Sequence, residues 1–375
     1  MLKLMIPGPV DVADDVRQAM ESPTIPHYGE AWVALYREVI GNLKQIHGTE
    51  QELYLLLGSG TAGLDAALGS ALYRDEKVLI PTNGFFGDRL LSVARCLGLH
   101  PVTLEFSPGR PVDPDAIRER LVEDRDIRLM AIVHHETSTG VLNPLEEIAE
   151  VSHSLGVPIL VDAVSSLGGV PLPVDEWKLD LVVSVTNKCL GAPPGFASIV
   201  VSPTAVLMME NRPDRGRSWY LSIETWRHYA EAWADWHPQP VTMPGQNLLA
   251  VATALRRIVA RGLDKHFEDL ARAARSVRAG MSSLGFELFV DLAYACPALS
   301  AFKALPGTSS AELVRFLLEE HNIQIAQGIG EMKDDIFRIG HMGMATSDEY
   351  VQALLAGAAA YLQQGDCLTS CAPVL

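Results

Sequence analysis

One lysine of this chain lies between two apolar segments, where it is suited to covalent chemistry. Lys188 follows the apolar run Leu181–Val185 and precedes a Pro-Pro-Gly turn and a second apolar run at 199–201. Short apolar runs bounded by turn residues predict buried strands. Burial disfavours the charged ammonium, so it lowers the pKa of a lysine at a strand end and makes the amine a nucleophile. The pattern indicates Schiff-base chemistry, whereas a lone lysine in a turn would be a solvated charge.

A carboxylate ends another predicted strand. Residues 156–161 form a short apolar run that is followed directly by Asp162. In open parallel sheets, ligands bind beyond the carboxyl ends of the strands. Pyridoxal 5'-phosphate (PLP) needs a lysine for its aldehyde and an acid that keeps its ring nitrogen protonated, so that the ring acts as an electron sink. Asp162 alone fits an N-cap or a structural ion pair equally well; together with Lys188 it predicts a PLP site.

A turn of small residues predicts an anion site. A strand at 55–57 runs into Gly58-Ser59-Gly60-Thr61-Ala62-Gly63, and a helix with apolar residues on one face follows. Backbone N–H groups at such a helix start, together with the hydroxyls of Ser59 and Thr61, suit a phosphate. No Gly-Lys-Ser/Thr follows, so the turn is not a P-loop. The glycine spacing also fits a dinucleotide fingerprint, but Asp75, the acid near the position expected for ribose binding, follows no predicted strand.

Composition limits the classes of partner and site. The chain has 375 residues, of which 48% are hydrophobic, and a formal net charge of −16, which argues against nucleic acid or an anionic membrane as a partner. No signal peptide and no run of membrane-spanning length are recognised. The five cysteines are scattered and odd in number, which predicts reduced thiols and a cytoplasmic location. They are Cys96, Cys189, Cys296, Cys367 and Cys371. The last two, in a polar tail without a nearby histidine, do not predict a zinc site, and no metal site is expected.

The order of predicted elements indicates an α/β fold with a mainly parallel central sheet and helices on both faces. Short apolar runs, among them 77–80 and 129–133, alternate with amphipathic helical segments such as the one carrying Trp32, Tyr36 and Ile40. A long helix is expected from about 245 to 261. Two apolar runs beyond it, 286–290 and 301–305, are expected as strands with helices between. We expect a large domain at 15–255 and a smaller C-terminal α+β domain at 256–375, joined by residues 1–14.

Several motifs, taken in chain order, resemble those of the class V aminotransferases of fold type I. The resemblance is greatest to the alanine/serine–glyoxylate aminotransferase group, and it spans most of the chain. The motifs are Pro7-Gly8-Pro9, Gly58-Ser59-Gly60-Thr61, Asn83-Gly84-Phe85-Phe86-Gly87, His135-Glu136-Thr137-Ser138-Thr139-Gly140, Val161-Asp162-Ala163-Val164-Ser165-Ser166, Asn187-Lys188 and Phe337-Arg338-Ile339-Gly340-His341-Met342-Gly343.

The resemblance implies a role for each of these residues. Lys188 forms the Schiff base with PLP and moves the substrate's Cα proton, and Asp162 pairs with the pyridine nitrogen. Phe86 stacks on the ring, or Phe85 if the register slips by one. The hydroxyl of Thr137 reaches the ring's phenolic oxygen. The phosphate is implied to contact Ser59, Gly60, Thr61 and Asn187. The substrate is implied to contact Gly8, and its carboxylate is implied to bind Arg338.

The resemblance also implies a homodimer with shared active sites, because fold type I enzymes build their sites at a subunit interface. Thr242-Met243-Pro244 resembles the segment with which the second subunit closes the phosphate site. The family often has a tyrosine three positions before the threonine, where this chain has Gln239. That departure puts one phosphate contact in question. His341 is either a second polar wall of the substrate pocket or a packed histidine.

The implied reaction moves an amino group from a small amino acid of alanine or serine type to glyoxylate or pyruvate. Pyridoxamine–pyruvate, ureidoglycine–glyoxylate and 2-aminoethylphosphonate–pyruvate aminotransferases share the motifs and are alternatives. A cysteine desulfurase needs a mobile nucleophilic cysteine ahead of the arginine motif, and Cys296 is the candidate for it. A PLP-binding protein without catalysis is a further alternative, since fold alone does not establish activity.

Overall fold

The structure is a computed structural model. It describes residues 2–212 and 218–370, and for residues 365–370 it describes the backbone alone. Cys371 and the side chain of Cys367 therefore lie outside the described residues. Within the described part of the chain, Cys96, Cys189 and Cys296 are free thiols. Across the same residues, no helix is both long enough and apolar enough to span a membrane.

A seven-stranded sheet, with helices on both faces, forms the centre of the fold. The described strands are β1 (Lys3–Leu4), β2 (Glu52–Leu57), β3 (Lys77–Thr82), β4 (His100–Glu105), β5 (Ile127–Val133), β6 (His135–Glu136), β7 (Val141–Leu142), β8 (Ile159–Asp162), β9 (Leu181–Val185), β10 (Phe196–Val201), β11 (Leu299–Lys303), β12 (Ile323–Gln324), β13 (Ala326–Gln327) and β14 (Ile336–Gly340). The order in the central sheet is β2-β10-β9-β8-β5-β3-β4, and only the pairings of β10 are antiparallel. The expected mainly parallel α/β sheet is confirmed.

Helices alternate with the strands of this sheet and then dominate the C-terminal third. The described helices are α1 (Asp14–Ala19), α2 (Glu30–His47), α3 (Gly60–Ala71), α4 (Phe85–Cys96), α5 (Pro114–Glu123), α6 (Leu145–Ser154), α7 (Pro203–Glu210), α8 (Ile223–Ala232), α9 (Gly245–Arg261), α10 (Leu263–Ser283), α11 (Ser310–His321) and α12 (Asp348–Ser370). The long helix predicted at 245–261 is α9. The predicted face of α2 is buried at Trp32 and Tyr36, as its four-residue spacing requires.

The register of the parallel strands sets the edge at which ligands are expected. Val133 of β5 pairs with Asp162 of β8, and Asp162 pairs with Val183 of β9. The carboxyl ends of these three neighbouring strands therefore lie side by side. Lys188 follows β9 by three residues, so the fold brings the predicted lysine and acid to one edge of the sheet.

A second, smaller sheet has the strand order β11-β14-β13, and Phe302, Phe337 and Ile339 from its strands belong to a separate hydrophobic cluster. That cluster includes Met5, and β1 pairs in parallel with β12, so the N-terminal segment packs with the C-terminal third. The central sheet and its helices form a larger cluster that extends from Val16 to Ile258. The domain boundary at 255/256 is still a prediction.

Two expectations about the C-terminal third differ from the structure. Residues 286–290 form no strand; they contribute only an isolated bridge between Leu288 and Phe302. The second run forms β11 at Leu299–Lys303, shifted toward the N-terminus from the expected 301–305. Between the two runs lies one 3-10 turn, Leu292–Tyr294, and the long helix α10 precedes both. The apolar run at 286–290 is explained by packing, because Phe286 is buried edge-on against Phe337.

Candidate active site

Lys188 lies in a narrow space between its own loop and the N-terminal segment. Its Nζ donates a hydrogen bond to the carbonyl oxygen of Pro7. Gly8 is equally close: a Cβ built there would lie 2.5 Å from Lys188 Cδ and 3.0 Å from Nζ, and the φ of +109° at Gly8 also favours glycine. Burial lowers the pKa of Lys188 to about 8. A substantial fraction of the amine is therefore neutral near pH 8, which is the nucleophilic form.

Asp162 is a buried acid at the end of β8, with 5% of its surface exposed. Its Oδ1 accepts a hydrogen bond from the N–H of Val164 at 2.9 Å. Burial raises the pKa of Asp162 to about 7, and the nearby charge of Lys188 acts in the opposite direction. A carboxylate in this position gains stability from a cationic hydrogen-bond donor, because such a donor offsets the cost of burying the charge.

The turn before α3 provides backbone N–H groups near Asp162. Ser59 is the N-cap of α3, and its Oγ accepts from the N–H of Ala62 at 3.3 Å. The first N–H groups of a helix have no acceptor within the helix, so those of Gly60 and Thr61 are available to an anion. A Cβ at Gly60 would lie 2.5 Å from Val164 Cγ2. Glycine therefore allows the turn to pack against the residues that follow Asp162.

The start of α4, which carries Phe85 and Phe86, is held by a buried carboxylate for which the sequence analysis predicts no role. Phe86 and Gly87 donate their N–H groups to Glu136 Oε2 at 3.0 and 3.1 Å. The rings of Phe85 and Phe86 meet edge to face, with centroids 5.5 Å apart. The guanidinium carbon of Arg89 lies 5.1 and 4.9 Å from the two centroids, at cation–π distance. The helical spacing of Arg89, three and four residues after the rings, was the available signal for this contact.

Arg338 joins the small sheet to the turn that carries Thr137. Arg338 lies in β14 and is 8% exposed. Its Nη1 donates to the carbonyl oxygen of Thr137 at 3.0 Å, and its Nε donates to the carbonyl oxygen of Gln327 at 2.9 Å. Burial lowers the pKa of Arg338 to about 10, and the negative charge of Glu136 partly restores it. The guanidinium is charged at neutral pH, and Nη2 donates no hydrogen bond within the described residues.

Unpartnered buried atoms at this edge fit the ligand that the sequence predicts. Thr137 Oγ1 and His135 Nε2 are buried and have no hydrogen-bond partner among the described residues. Such groups call for a polar ligand or water, since unpaired buried polar atoms are costly. The hydroxyl of Thr137 suits the phenolic oxygen of a pyridine ring, and the N-terminus of α3 suits a phosphate. Asn187, half-buried beside Lys188, also makes no side-chain hydrogen bond within the described residues. The donor set fits PLP.

Thr242 is not brought to this edge by the fold of a single chain. It is exposed, and its Oγ1 contacts His27 Nε2 at 3.4 Å. Gln239, at the position where the family often has a tyrosine, is fully buried; it accepts from Trp32 Nε1 at 3.0 Å and donates to the carbonyl oxygen of His27 at 2.8 Å. The amide of Gln239 therefore stabilises the fold in place of a phosphate contact.

Two residues whose roles the sequence left open are packed in the interior. His341 is fully buried with its Nε2 at 2.9 Å from Ser300 Oγ, and burial lowers the pKa of His341 to about 3. It is a packed neutral histidine. Cys296 is also fully buried, in an apolar cluster with Cys189 and Met342, and burial raises the pKa of its thiol to about 12. A thiol that is protonated and enclosed in this way does not suit the mobile nucleophile of a desulfurase.

Comparison with known proteins identifies the family of this chain. The profile of the family Aminotransferase class-V matches residues 18–353. An uncharacterized aminotransferase of Methanocaldococcus jannaschii is 34% identical over 352 residues, which cover 94% of this chain and 90% of that protein. The (S)-ureidoglycine–glyoxylate transaminase of Bacillus subtilis is 31% identical, covering 96% and 90%. The 2-aminoethylphosphonate–pyruvate transaminase of Syntrophobacter fumaroxidans is 32% identical, covering 91% of each chain.

Solved structures give the same result. The alanine–glyoxylate aminotransferase of a Nostoc species superposes with a TM-score of 0.92 at 31% identity, covering 96% of this chain and 95% of that one. The pyridoxamine–pyruvate aminotransferase of Mesorhizobium loti superposes with a TM-score of 0.91 at 27% identity, covering 97% and 93%. The fold is that of the fold type I PLP-dependent aminotransferases. Profile, relatives and superposition together establish that this chain belongs to the class V aminotransferase family.

Proposed function

We propose that this protein is a PLP-dependent aminotransferase that moves an amino group from a small amino acid of alanine or serine type to glyoxylate or pyruvate. The observation that supports it most is the arrangement of Lys188, Asp162 and Arg338 around one edge of the sheet. The charges of Asp162 and Arg338 both act on the amine of Lys188. A nucleophile, an acid for a ring nitrogen and a cation for a carboxylate are the groups that transamination requires.

Each residue contributes through its own chemistry. PLP, when bound, supplies the electron sink for the carbanion at the substrate's Cα. The amine of Lys188 serves as nucleophile and then carries the proton of that carbon, which its lowered pKa permits near neutral pH. Asp162 would accept a hydrogen bond from the protonated ring nitrogen. Phe86 would cover the ring, and the hydroxyl of Thr137, which has no other partner within the described residues, would donate to the ring's phenolic oxygen.

Arg338 anchors the carboxylate that the amino acid and the oxo acid share. Two of its nitrogens are held by backbone carbonyls, so the guanidinium has a fixed orientation before substrate binds. A planar, charged guanidinium binds a carboxylate through parallel hydrogen bonds. One anchor serves both half-reactions, because donor and acceptor occupy the same pocket in turn. Gly8 packs against Lys188, where any side chain would collide with the lysine.

A homodimer would complete the phosphate site. Thr242 and His27 lie beside a group of exposed aromatic side chains, which are Tyr28, Trp219, Trp233 and Trp236. Tyr28 and Trp233 both contact the ring of Trp236, and the ring of Tyr229 links Trp219 to Trp233, so the group is continuous. Exposed aromatic groups of this kind are typical of subunit interfaces. A second copy packed there would present its Thr242 to the phosphate site. A cytoplasmic location is in keeping with the free thiols.

A half-reaction assay tests the substrate. The PLP form of the protein is mixed with alanine or serine without an acceptor, and conversion of PLP to pyridoxamine phosphate is followed by absorbance. Glyoxylate or pyruvate is then added to reverse it. We expect alanine or serine to convert the cofactor and glyoxylate or pyruvate to restore it. Conversion by ureidoglycine or 2-aminoethylphosphonate alone, or oxo-acid consumption by the PLP-free protein with pyridoxamine alone, would assign the protein to one of those relatives instead. A cofactor band that responds to no amine would indicate binding without catalysis.

A further inference from the structure

Glu136 is a fully buried carboxylate with an unusually complete set of donors. Its Oε1 accepts from the N–H of Ser138 at 3.0 Å and from Ser138 Oγ at 2.5 Å. Its Oε2 accepts from the N–H groups of Phe86 and Gly87 at 3.0 and 3.1 Å. Burial raises the pKa of Glu136; the four donors act in the opposite direction and fix the position of the carboxylate.

Two of these donors belong to the first turn of α4. The N-cap of α4 is Gly84, which has no side chain to accept from the first N–H groups of the helix. Glu136 provides that acceptor from another part of the chain, and its negative charge also interacts favourably with the helix dipole. The approach is close: a Cβ built at Gly84 would lie 2.6 Å from Glu136 Cγ and 2.5 Å from Ser138 Oγ. The φ of Gly84 is 168°, so steric space, and not backbone strain, requires glycine here.

The turn that carries Glu136 also touches the other groups of the site. Ser138 Oγ accepts from the N–H of Phe85 at 3.1 Å. Between Glu136 and Ser138 lies Thr137, whose carbonyl oxygen accepts from Arg338 and whose hydroxyl is unpartnered within the described residues. A shift of this turn would therefore move the stacking ring, the phenolic-oxygen contact and the carboxylate anchor together.

We propose that Glu136 is the positioning residue of the cofactor site: its carboxylate caps α4 in place of the side chain that Gly84 lacks, and so fixes Phe86 relative to Thr137 and Arg338. The inference rests on the proposed function, because Phe86 needs a ring to cover. Glu136 itself does not touch the cofactor; it acts through the backbone of α4. The negative charge of Glu136 also raises the pKa of both Asp162 and Arg338.

Two independent variants test the cap. Glu136→Gln keeps the shape of the side chain but leaves an NH2 group facing N–H donors. Gly84→Ala keeps the carboxylate and displaces the turn sterically. Each has a matched control. Asp180→Asn neutralises another acid whose pKa burial raises; Asp180 accepts from Ile159 N at 3.0 Å and Ser202 Oγ at 2.8 Å at the opposite edge of the sheet. Gly41→Ala adds a methyl group where no atom lies within 4 Å.

Three measurements are made on the full chain. Hydrogen exchange of the PLP-free protein reports the protection of the amides at the start of α4. Titration with PLP gives the dissociation constant, and visible circular dichroism of the bound cofactor reports the orientation of its ring. For both test variants we expect faster exchange at the start of α4, an altered dichroism band and PLP binding that is weaker by ~10-fold, which corresponds to about 1.4 kcal/mol. Both controls should behave as the unmodified protein does in all three measurements.

The outcomes separate this inference from the proposed function. If the unmodified protein binds no PLP, the proposed function fails and the positioning role fails with it. If the unmodified protein binds PLP and both test variants match it in exchange, affinity and dichroism, the inference alone is overturned. If Glu136→Gln does not fold, Gly84→Ala with its Gly41→Ala control decides the question. If Asp180→Asn lost as much PLP affinity as Glu136→Gln, general destabilisation would explain the effect, and the inference would also be overturned.

Discussion

Arg338 donates a hydrogen bond of 3.0 Å to the carbonyl oxygen of Thr137, and this contact joins the small sheet to the turn beyond the central one. The residue that we propose as the anchor of the substrate carboxylate is therefore fixed relative to the residue that we propose for the ring's phenolic oxygen. Because Gln327 holds Nε at the same time, the guanidinium cannot rotate without losing a buried hydrogen bond. The proposed substrate contact and the proposed cofactor contact are thus held by one rigid connection.

Replacement of Arg338 should impair both half-reactions. Arg338→Ala leaves a substrate carboxylate without its partner in a buried site, which costs about 3–5 kcal/mol, or ~10² to 5×10³-fold in kcat/KM. Arg338→Lys should recover only part of this, since an ammonium cannot form the paired contact. Steady-state kinetics with donor and acceptor varied separately provide the measurement. The absorbance of the lysine-bound cofactor is the control and should not change. A loss confined to the oxo acid would indicate a donor without a carboxylate.

Lys188 should be the residue to which the cofactor is attached. Borohydride reduction of the PLP form and peptide mapping should label Lys188, and Lys188→Ala should abolish both the label and transamination. Lys178, an exposed lysine in a turn, provides the control: Lys178→Arg should retain the label on Lys188. Because burial lowers the pKa of Lys188 to about 8, the neutral amine becomes more abundant as the pH rises through that value. The rate of PLP incorporation should rise over the same interval and level off above it. A label on another lysine would contradict the assignment.

The parts of the fold that sequence predicted are those with strong local patterns. Asp162 ends a strand whose residues are all buried, and an uninterrupted apolar run bounded by turns is a clear signal for such a strand. The helix at 245–261 has the expected bounds because Pro244 precedes it and Gly262 follows it. The run at 286–290 gave the same local signal as a strand, yet its side chains pack without pairing along a sheet. Strand pairing depends on distant residues, which the local pattern does not contain.

In the candidate site, too, the sequence predicts the residues that have a local signal and misses the contacts that depend on distant residues. Lys188, Asp162 and the glycine turn before α3 were found because each lies next to a strand end or a helix start. Glu136 lies within the motif at 135–140, but the sequence predicts no separate role for it because its partners, Phe86 and Gly87, are some 50 residues away in sequence. The contact of Lys188 with Pro7 spans 181 residues. Such contacts depend on tertiary structure and have no local periodicity.

Neutralising Asp162 should separate cofactor binding from turnover. Asp162→Asn keeps the shape of the side chain, so PLP should still bind. Turnover should fall steeply, because the ring nitrogen loses its counter-charge and the electron sink weakens in the transition state. Single-turnover absorbance measurements with the proposed donor, compared with PLP titration, separate the two effects. Turnover close to that of the unmodified protein would exclude this role.

The same variant should change how the stability of the PLP-free protein depends on pH. Burial raises the pKa of Asp162 from 3.8 to about 7. Between these values the folded state binds more protons than the unfolded state, so the contribution of Asp162 to stability is present at low pH and is lost as the pH rises through about 7. Asp162→Asn removes this loss. We measure the free energy of unfolding of both proteins with denaturant from pH 5 to pH 8. The value for the variant minus the value for the unmodified protein should increase with pH, by ~1.4 kcal/mol at most for each pH unit. A constant difference across this range would contradict the assignment of a raised pKa.

Gly8 should be intolerant of a side chain because of Lys188. Gly8→Ala places a methyl group 2.5 Å from Lys188 Cδ and also strains a backbone with a φ of +109°. Gly285→Ala is the matched control, since Gly285 has a φ of +91° and no atom within 4 Å of a built Cβ. Both variants carry the backbone strain, which costs about 1–2 kcal/mol, and only Gly8→Ala displaces the lysine. We expect similar losses in the free energy of unfolding, but slower PLP incorporation and lower transaminase activity only in Gly8→Ala. If the two variants incorporated PLP at equal rates, the close contact between Gly8 and Lys188 would have no functional role.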